Sequence, residues 1–259
     1  AKLCNVSTII NIGGAQAIAA MSLGTKNVPK VNKIFGPGNQ YVTSAKLNSI
    51  DYNTAIDMPA GPSELLVLAD SKANPDYVAS DLLSQAEHGP DSQVILVSLC
   101  KVLIEKVEKS LKNQSKKLDR IDFINKSISN SKLICFENKE DAVEFINEYA
   151  PEHYIINVED ETYFIENLVN AGSVFIGNYT PESAGDYASG TNHTLPTNGN
   201  AKQYSGVNLD SFMKTITFQK ISKKGLINIS KTVETMAEAE GLQAHKNAVT
   251  IRINDIKNE

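Results

Sequence analysis

The chain contains four histidines, and each lies in a short segment that also carries carboxylates or turn-forming residues. These segments are Ser84–Pro90, Ala150–His153, Ser183–His193 and Ala237–His245. Histidine changes charge close to neutral pH and is the commonest metal ligand. Polar segments of this kind, drawn from distant parts of one chain, are typical of a metal or acid–base site assembled by folding. The pattern therefore favours an enzyme.

Gln85 and His88 are three residues apart near the end of a predicted helix, so their side chains share one face. An amide oxygen beside an imidazole nitrogen is a plausible half-site for zinc. Gly89 and Pro90 then end the helix. Taken alone, such a pair is more often a polar helix terminus.

Glu152 and His153 follow Pro151 at a predicted helix-to-strand junction. A carboxylate beside an imidazole supplies two groups that can move protons near neutral pH. Neighbours on a regular strand point to opposite faces, but at an irregular junction both can reach one cleft. By itself, a Glu-His pair is more often an ordinary surface dipeptide.

Asp186 and His245 are isolated in the sequence. With Gln85 and His88 they would offer two imidazoles, one carboxylate and one amide oxygen. That set suits a divalent first-row metal that keeps open positions for a substrate. Residue types alone leave other sets open, which would include His153, His193 or Glu240.

Glycine-containing turns join predicted strands to predicted helices at Ile12–Gln16 and at Phe35–Asn39. Glycine allows the backbone to approach a ligand closely, and a following helix N-terminus favours phosphate. Neither turn has the G-x-G-x-x-G spacing of the usual dinucleotide fingerprint, and tight turns explain them almost as well. A third turn, Asp57–Glu64, places the hydroxyl of Ser63 at the entrance of a strand.

Short apolar runs alternate with longer amphipathic segments, which predicts an α/β fold with a mainly parallel sheet between helices. The predicted strands are Ser7–Ile12, Glu64–Ala69, Gln93–Val97, Lys132–Cys135, Tyr154–Asn157 and Ser173–Ile176. The predicted helices are Gly14–Leu23, Gln40–Leu47, Pro75–Glu87, Lys101–Asn113, Lys139–Tyr149, Thr162–Asn170 and Lys223–Glu240. A long polar loop is expected over Gly177–Gly206, and such loops are often functional. After Asn208 the chain is predicted to be helical to its end.

Composition restricts the partners. The net charge is −5 and no basic run occurs, which argues against nucleic acid and anionic membranes as partners. No apolar stretch approaches the ~20 residues needed to cross a bilayer. Three widely spaced cysteines are typical of reduced thiols, so we expect a cytoplasmic protein.

Taken together, these segments resemble the histidinol dehydrogenase family. The resemblance covers most of the chain in the family's order. It rests on long strings that are more specific than any single motif, namely FGPGN, DMPAGPSE, SQAEHGPDSQV, PESAGDYASGTNH and AEAEGLQAH.

The resemblance implies oxidation of L-histidinol to L-histidine through the aldehyde, with two NAD⁺ reduced and one Zn²⁺ per site. It implies that Glu152 and His153 are the acid–base pair and that Gln85, His88, Asp186 and His245 are the zinc ligands, which also contact the substrate. It further implies substrate contacts for Ser63, His153, His193 and Glu240, and dinucleotide contacts for Gln16 and Asn39.

The resemblance also implies incomplete Rossmann-like parallel sheets and a small C-terminal helical unit. The expected division is 1–64, a partial domain on the nucleotide side; 65–207, a second domain with the zinc and acid–base residues; and 208–259, a helical dimerisation unit. Residues of that last unit would complete the partner's site in a homodimer. Because family members are longer before the position of Ala1, we expect this chain to match the C-terminal three fifths of a longer enzyme.

Two other functions stay open at this point. One is a remnant that binds zinc and histidinol without turnover, which would give no NADH. The other is a zinc hydrolase that uses Glu152 to activate water, which would act without NAD⁺. Occupation of every expected catalytic and metal position disfavours the remnant.

Overall fold

The structure is a computed structural model, and it describes residues 1–258. It contains two compact units, Ala1–Phe212 and a second unit that begins at Met213. The predicted α/β class is confirmed, because the larger unit holds a parallel sheet flanked by helices. The finer division at residues 64 and 207 stays a prediction.

The strands of the described residues are short. They are β1 Lys33–Ile34, β2 Ala55–Ile56, β3 Glu64–Ala69, β4 Gln93–Ser98, β5 Lys132–Cys135, β6 His153–Asn157 and β7 Ser173–Ile176. The α-helices are α1 Ala15–Leu23, α2 Gln40–Ser49, α3 Pro75–Ala86, α4 Lys101–Ser115, α5 Ile121–Ser129, α6 Lys139–Tyr149, α7 Glu161–Glu166, α8 Glu182–Tyr187, α9 Lys223–Ala239 and α10 Gln243–Asn258.

Five strands form one parallel sheet in the order β5-β4-β3-β6-β7, and β1 and β2 form a separate parallel pair. Strand β3 is central, and all of its residues are buried. Its sequence is a continuous apolar run after Glu64, as expected for a parallel strand covered on both faces. Leu65 lies opposite His153 of β6, and Glu64 lies opposite Gln93 of β4.

The two faces of this sheet carry separate apolar cores. Leu65 and Val67 pack with buried residues of α3, α4 and α5. Leu66 and Leu68 pack with residues of α6 and α7 on the other face. His153 has the same side-chain direction as Ile155, because they are two residues apart on β6, and therefore faces the α3 layer.

Most predicted elements of the sheet unit are present, with ends within a few residues of those expected. The predicted strand Ser7–Ile12 is wrong, since these residues are exposed and pair with no strand among the described residues. Helix α5 was not predicted. Helix α8 lies inside the segment expected to be a loop, where six residues form fewer than two turns.

The second unit is less helical than predicted near its start, because residues 213–222 have no regular secondary structure. Helices α9 and α10 follow and pack against each other. Ser222 caps α9, with its Oγ accepting a hydrogen bond from the backbone N–H of Gly225 at 3.1 Å. Among the described residues, no helix is long and apolar enough to cross a membrane.

Candidate active site

The amino ends of the central strands bring the acid–base candidates together. Glu152 and His153 lie at the start of β6, next to Glu64 at the start of β3. Helix α3 runs back along the sheet and carries Gln85 to the same edge, and His88 lies just beyond the end of the helix, not within it as predicted. These residues lie at the amino ends of the strands. The site is therefore at the edge opposite to the carboxyl ends, where ligands of open parallel sheets usually bind.

A cavity of about 290 Å³ opens at this edge. It is lined by Pro37, Ala60, Gly61, Ser63, Gln85, His88, Glu152, His153, Glu182, Asp186, His193, Leu195 and Thr197. Seven residues predicted as site residues from the sequence therefore lie around one space, although they come from segments more than a hundred residues apart.

Backbone geometry at the Glu152–His153 junction is unusual. Ala150 ends α6 with a φ of 53°, in the left-handed region, and Pro151 follows. Gly172 approaches so closely that a Cβ there would lie 2.5 Å from the carbonyl oxygen of Glu152. That oxygen accepts a hydrogen bond from the N–H of Ser173 at 2.9 Å. The junction is thus fixed by backbone contacts on the β7 side.

The main chain of Glu64 contacts both members of the candidate acid–base pair. Its N–H donates to Oε2 of Glu152 at 2.8 Å, and its carbonyl oxygen lies 3.3 Å from Nδ1 of His153. Nδ1 also lies 3.6 Å from Oε2 of Glu152 and 3.6 Å from Oε1 of Glu182. Nε2 lies 3.8 Å from Oδ1 of Asp186 and has no hydrogen-bond partner. The unpartnered Nε2 is the nitrogen available to a ligand.

Burial shifts the pKa values of these groups toward their neutral forms. Desolvation lowers the pKa of His153 to about 4, although the charge of Asp186 opposes the shift. Desolvation raises the pKa of Glu152 well above its ordinary value, and that of Glu182 to about 9. A buried imidazole that is neutral at physiological pH is able to accept a proton.

The donor atoms beside His153 form a candidate metal site. One possible ligand atom from each of His88, Glu182 and Asp186 lies within 4.8 Å of the others. Gln85 is buried, yet both polar atoms of its amide lack a hydrogen-bond partner among the described residues. A buried amide without partners is rare in proteins unless something else binds it. This nitrogen and oxygen donor set fits a divalent first-row metal.

A second, larger cavity of about 810 Å³ adjoins the first and shares Gly61, Ser63 and His88 with it. Asn39 lines it and caps α2, with its Oδ1 accepting from the N–H groups of Tyr41 and Val42. The side-chain amide nitrogen of Asn39 is not needed for that cap. A nucleotide-sized ligand therefore has room next to the acid–base pair.

A buried ion pair holds the turn between the two cavities. Nζ of Lys46 lies 2.5 Å from Oδ1 of Asp57 and donates to the carbonyl oxygen of Gly36 at 2.8 Å. Oδ2 of Asp57 accepts from the N–H of Gly36 at 2.7 Å. Asp57 and Lys46 thereby fix the turn from which Pro37 and Asn39 reach the cavities.

Three predicted site residues lie outside this cluster. Gln16 is exposed on α1 and lines neither cavity. Glu240 follows α9, and His245 lies in α10 of the second unit, so their contribution to the site stays a prediction.

Sequence reasoning missed two carboxyl groups at this edge, those of Glu182 and Glu64. Glu182 precedes Asp186 by four residues, so a helix there would have placed both on one face. This spacing is informative only if the segment is helical, and α8 was not predicted. The part played by Glu64 depends on pairing between strands that are far apart in sequence.

Comparison with known proteins identifies the family. The sequence model described as histidinol dehydrogenase matches residues 1–253. The histidinol dehydrogenase of Bacteroides thetaiotaomicron is 57% identical over 257 residues, which are 99% of this chain and 60% of that protein. The chloroplastic histidinol dehydrogenase of Arabidopsis thaliana is 56% identical over 260 residues, 99% of this chain and 56% of that protein.

A solved structure agrees. The crystal structure of histidinol dehydrogenase from Elizabethkingia anophelis superposes with a TM-score of 0.96 at 52% identity and covers 99% of this chain and 59% of that one. The chain thus spans about three fifths of the length of these relatives. Because the match extends over nearly the whole chain in both sequence and fold, the chain belongs to the histidinol dehydrogenase family.

Proposed function

We propose that the protein oxidises L-histidinol to L-histidine through L-histidinaldehyde, reducing two NAD⁺ in the last steps of histidine biosynthesis. The observation that carries this proposal is the pairing of Glu152 and His153 beside a cluster of metal-ligand atoms within one cavity. Family membership supports the choice of substrate.

Gln85, His88, Asp186 and His245 are the proposed ligands of one Zn²⁺. The unpartnered amide of Gln85 and the proximity of His88 to Asp186 support three of these assignments. When bound, the metal would supply positive charge that holds the substrate through its nitrogen atoms and orients the alcohol carbon. Glu182 borders the same cluster and carries a buried Oε2 without a hydrogen-bond partner.

His153 is the proposed base for oxidation of the alcohol. Its neutral imidazole accepts the hydroxyl proton at Nε2 as hydride leaves the alcohol carbon. Nδ1 faces the carbonyl oxygen of Glu64, which favours the tautomer with its proton on Nδ1 and leaves Nε2 free to act as the base.

Glu152 is the proposed base for the second half of the reaction, for which its carboxyl must be ionised. Burial favours the neutral form of this carboxyl, and the positive charge of a metal bound nearby would oppose that shift in its pKa. Glu152 takes a proton from water as that water adds to the aldehyde, and a second hydride then leaves the hydrate. The hydrogen bond from the N–H of Glu64 fixes Oε2, so the other carboxyl oxygen is the one directed to water. Base catalysis of this kind typically contributes ~10²–10⁴-fold.

Further contacts complete the proposal. Ser63 and His193, which line the cavity, are proposed to contact the substrate, together with Glu240. Asn39 and Gln16 are proposed to contact NAD⁺; the position of Asn39 in the larger cavity supports the first of these. We also propose a homodimer in which Glu240 and His245 complete the partner's site.

The test is NADH formation by the native protein loaded with Zn²⁺, given L-histidinol and excess NAD⁺. We expect two NADH for each histidinol consumed. A folded, zinc-loaded protein that forms no NADH would contradict the proposal, and hydrolysis without NAD⁺ would favour a hydrolase.

The Glu152→Gln variant separates the two halves of the reaction. We expect it to form one NADH per histidinol and to accumulate L-histidinaldehyde, because the alcohol is oxidised through His153. If Glu152→Gln instead lost only alcohol oxidation and still oxidised added aldehyde, the two roles would be exchanged.

A further inference from the structure

The segment 193–198 forms one wall of the small cavity. His193, Leu195 and Thr197 line the cavity, and the side chains of Leu195 and Thr197 are buried. The segment belongs to the polar stretch between α8 and the second unit and has no regular secondary structure. Its position must therefore come from individual contacts.

Two hydrogen bonds join this wall to the turn that leads into β3. The N–H of Gly61 donates to Oγ1 of Thr197. The N–H of Asn198 donates to Oε1 of Glu64 at 2.9 Å. Within the described residues, these are the hydrogen bonds that connect 193–198 to the 61–64 turn, and they fall on adjacent residues of the wall.

Contacts with the residues that follow it, 199–207, also stabilise the wall. The N–H of Asn200 donates to the carbonyl oxygen of Thr197 at 3.1 Å, and the N–H of Val207 donates to that of Thr194 at 3.0 Å. Gly206 approaches the side chain of Leu195 so closely that a Cβ there would lie 2.5 Å from it. The segment is thus held together as a folded loop, and the two bonds to Gly61 and Glu64 join that loop to the turn before β3.

The main chain and the side chain of Glu64 contact different parts of the cavity. The main chain contacts Glu152 and His153, as described above, whereas the side-chain carboxyl contacts the wall. Removal of the side chain therefore leaves the groups that hold the acid–base pair in place.

We propose that Glu64 and Thr197 are positioning residues that hold the 193–198 wall against the cavity and thereby set the affinity for the substrate. This inference rests on the proposed function, because it assigns L-histidinol to that cavity. If the wall is not fixed in advance, the substrate must order it on binding, and binding is weakened by that cost. Chemistry on the bound substrate is largely spared, because Glu152 and His153 keep their contacts.

Two matched pairs of variants test the proposal in the native, zinc-loaded protein. Thr197→Val removes the acceptor for Gly61 while keeping the side-chain shape, and Thr197→Ser keeps the acceptor. Glu64→Ala removes the acceptor for Asn198, and Glu64→Gln keeps an amide oxygen there. We expect Thr197→Val and Glu64→Ala to raise the KM for L-histidinol roughly 10-fold, which corresponds to an ordering cost about as large as one hydrogen bond. We expect kcat to change less than the KM, and Thr197→Ser and Glu64→Gln to stay close to wild type.

The proposal is overturned if Thr197→Val and Glu64→Ala lower thermal stability while the KM is unchanged, since that is a structural role only. It is also overturned if kcat falls and the KM does not, or if the conservative variants are as impaired as the others.

A separate measurement distinguishes failure of this inference from failure of the proposed function. If wild-type protein neither binds nor oxidises L-histidinol, the proposed function fails, and with it the link to substrate affinity. Hydrogen exchange at the amides of Gly61 and Asn198 then still tests the positioning role. Faster exchange in Thr197→Val and Glu64→Ala than in Thr197→Ser and Glu64→Gln is expected, and equal rates in all four would overturn it.

Discussion

The two edges of the five-stranded sheet differ in the hydrogen bonding of their polar side chains. At the carboxyl edge, Asp70 accepts from the N–H groups of Lys72 and Glu159 at 2.8 and 2.7 Å. Asn157 at the end of β6 donates to Oδ1 of Asn178 at 3.1 Å. Polar groups at this edge are thus satisfied by their own loops.

At the amino edge, buried side-chain atoms are left without partners. Within the described residues, the unpartnered buried atoms belong to Glu64, Gln85, His153 and Glu182 at this edge, and to Tyr154, which packs in the core on the other face of the sheet. Leaving such an atom unpaired costs about 1–3 kcal/mol. Unpaired polar atoms and shifted pKa values at the amino edge indicate a place where a ligand completes the structure, and Asp70 and Asn157 at the carboxyl edge give no such signal.

The largest test of this contrast compares the two ends of β6. His153→Asn at the amino end is expected to lower kcat for alcohol oxidation by ~10²–10⁴-fold, because the proposed base is lost. Asn157→Ala at the carboxyl end is expected to keep kcat and to lose only about 1 kcal/mol of unfolding free energy with its hydrogen bond. Steady-state kinetics and thermal unfolding of both variants decide the matter. Comparable losses of kcat would break the contrast between the edges.

A pH series on Glu64 tests the electrostatics of the amino edge. Burial raises the pKa of Glu64 from 4.5 to about 7 in the folded protein. Glu64 therefore holds an extra proton in the folded state between these values, so its contribution to stability is greatest below pH 4.5 and is lost as the pH rises toward 7.

Glu64→Gln cannot titrate and is expected to lack this decline, which amounts to about 3 kcal/mol. Denaturant unfolding from acid to neutral pH, with chelator in both samples, measures the difference. Parallel stability curves for wild type and Glu64→Gln would show that the carboxyl is not shifted.

Stabilisation by zinc should depend on side chains at the amino edge of the sheet and not on those at the carboxyl edge. At a free Zn²⁺ concentration ~100 times its Kd, a site present only in the folded protein adds about 2.7 kcal/mol. We expect a chelator to remove this gain and Asp186→Asn to weaken it. Asp70→Asn at the carboxyl edge is the matched control and should keep the full zinc effect. Zinc-dependent melting of the three proteins is the measurement, and an equal response in Asp186→Asn would exclude Asp186 as a ligand.

The smallest expected effect concerns the backbone at the start of β6. Gly172→Ala forces a Cβ against the carbonyl oxygen of Glu152, and such overpacking typically costs about 1–3 kcal/mol. Because the strain falls on the acid–base junction, kcat should fall along with stability. Gly13→Ala is the control, since its Cβ would meet nothing within 4 Å. If the two alanine variants have the same melting temperature, the backbone around Gly172 and Glu152 adjusts to the added Cβ without a loss of stability.

Local sequence signals were sufficient for the central strands. Glu64–Ala69 is a continuous apolar run between turn residues, and its bounds agree with those of β3. The Pro151–His153 junction was recognisable because a proline and two polar residues separate the helical pattern before it from the apolar run after it. The wrong prediction at Ser7–Ile12 has the same basis, since a run with strand-like composition forms no strand without a partner to pair with.

Other features depended on contacts that no local pattern records. The N–H of Glu64 meets a carboxylate 88 residues further along the chain, and its side chain meets a backbone amide 134 residues away. Helix α8 was not recognised because the segment is short and most of its residues, Gly185 above all, are weak helix formers. The sequence therefore indicated which residues share a site, but not which groups hold them there.

The placement of the site at the amino edge also determines the electric field within it. Helices α3 and α6 both run back along the sheet, and their carboxyl ends lie at this edge, before His88 and before Glu152. The carboxyl end of a helix carries about half a negative charge, whereas helix amino ends attract phosphate and other anions. The field of the backbone beside His88 and Glu152 thus favours metal ions and protonated amines. The amino end of α2 at Asn39 gives the adjoining larger cavity the opposite polarity, which suits the phosphates of the proposed NAD⁺.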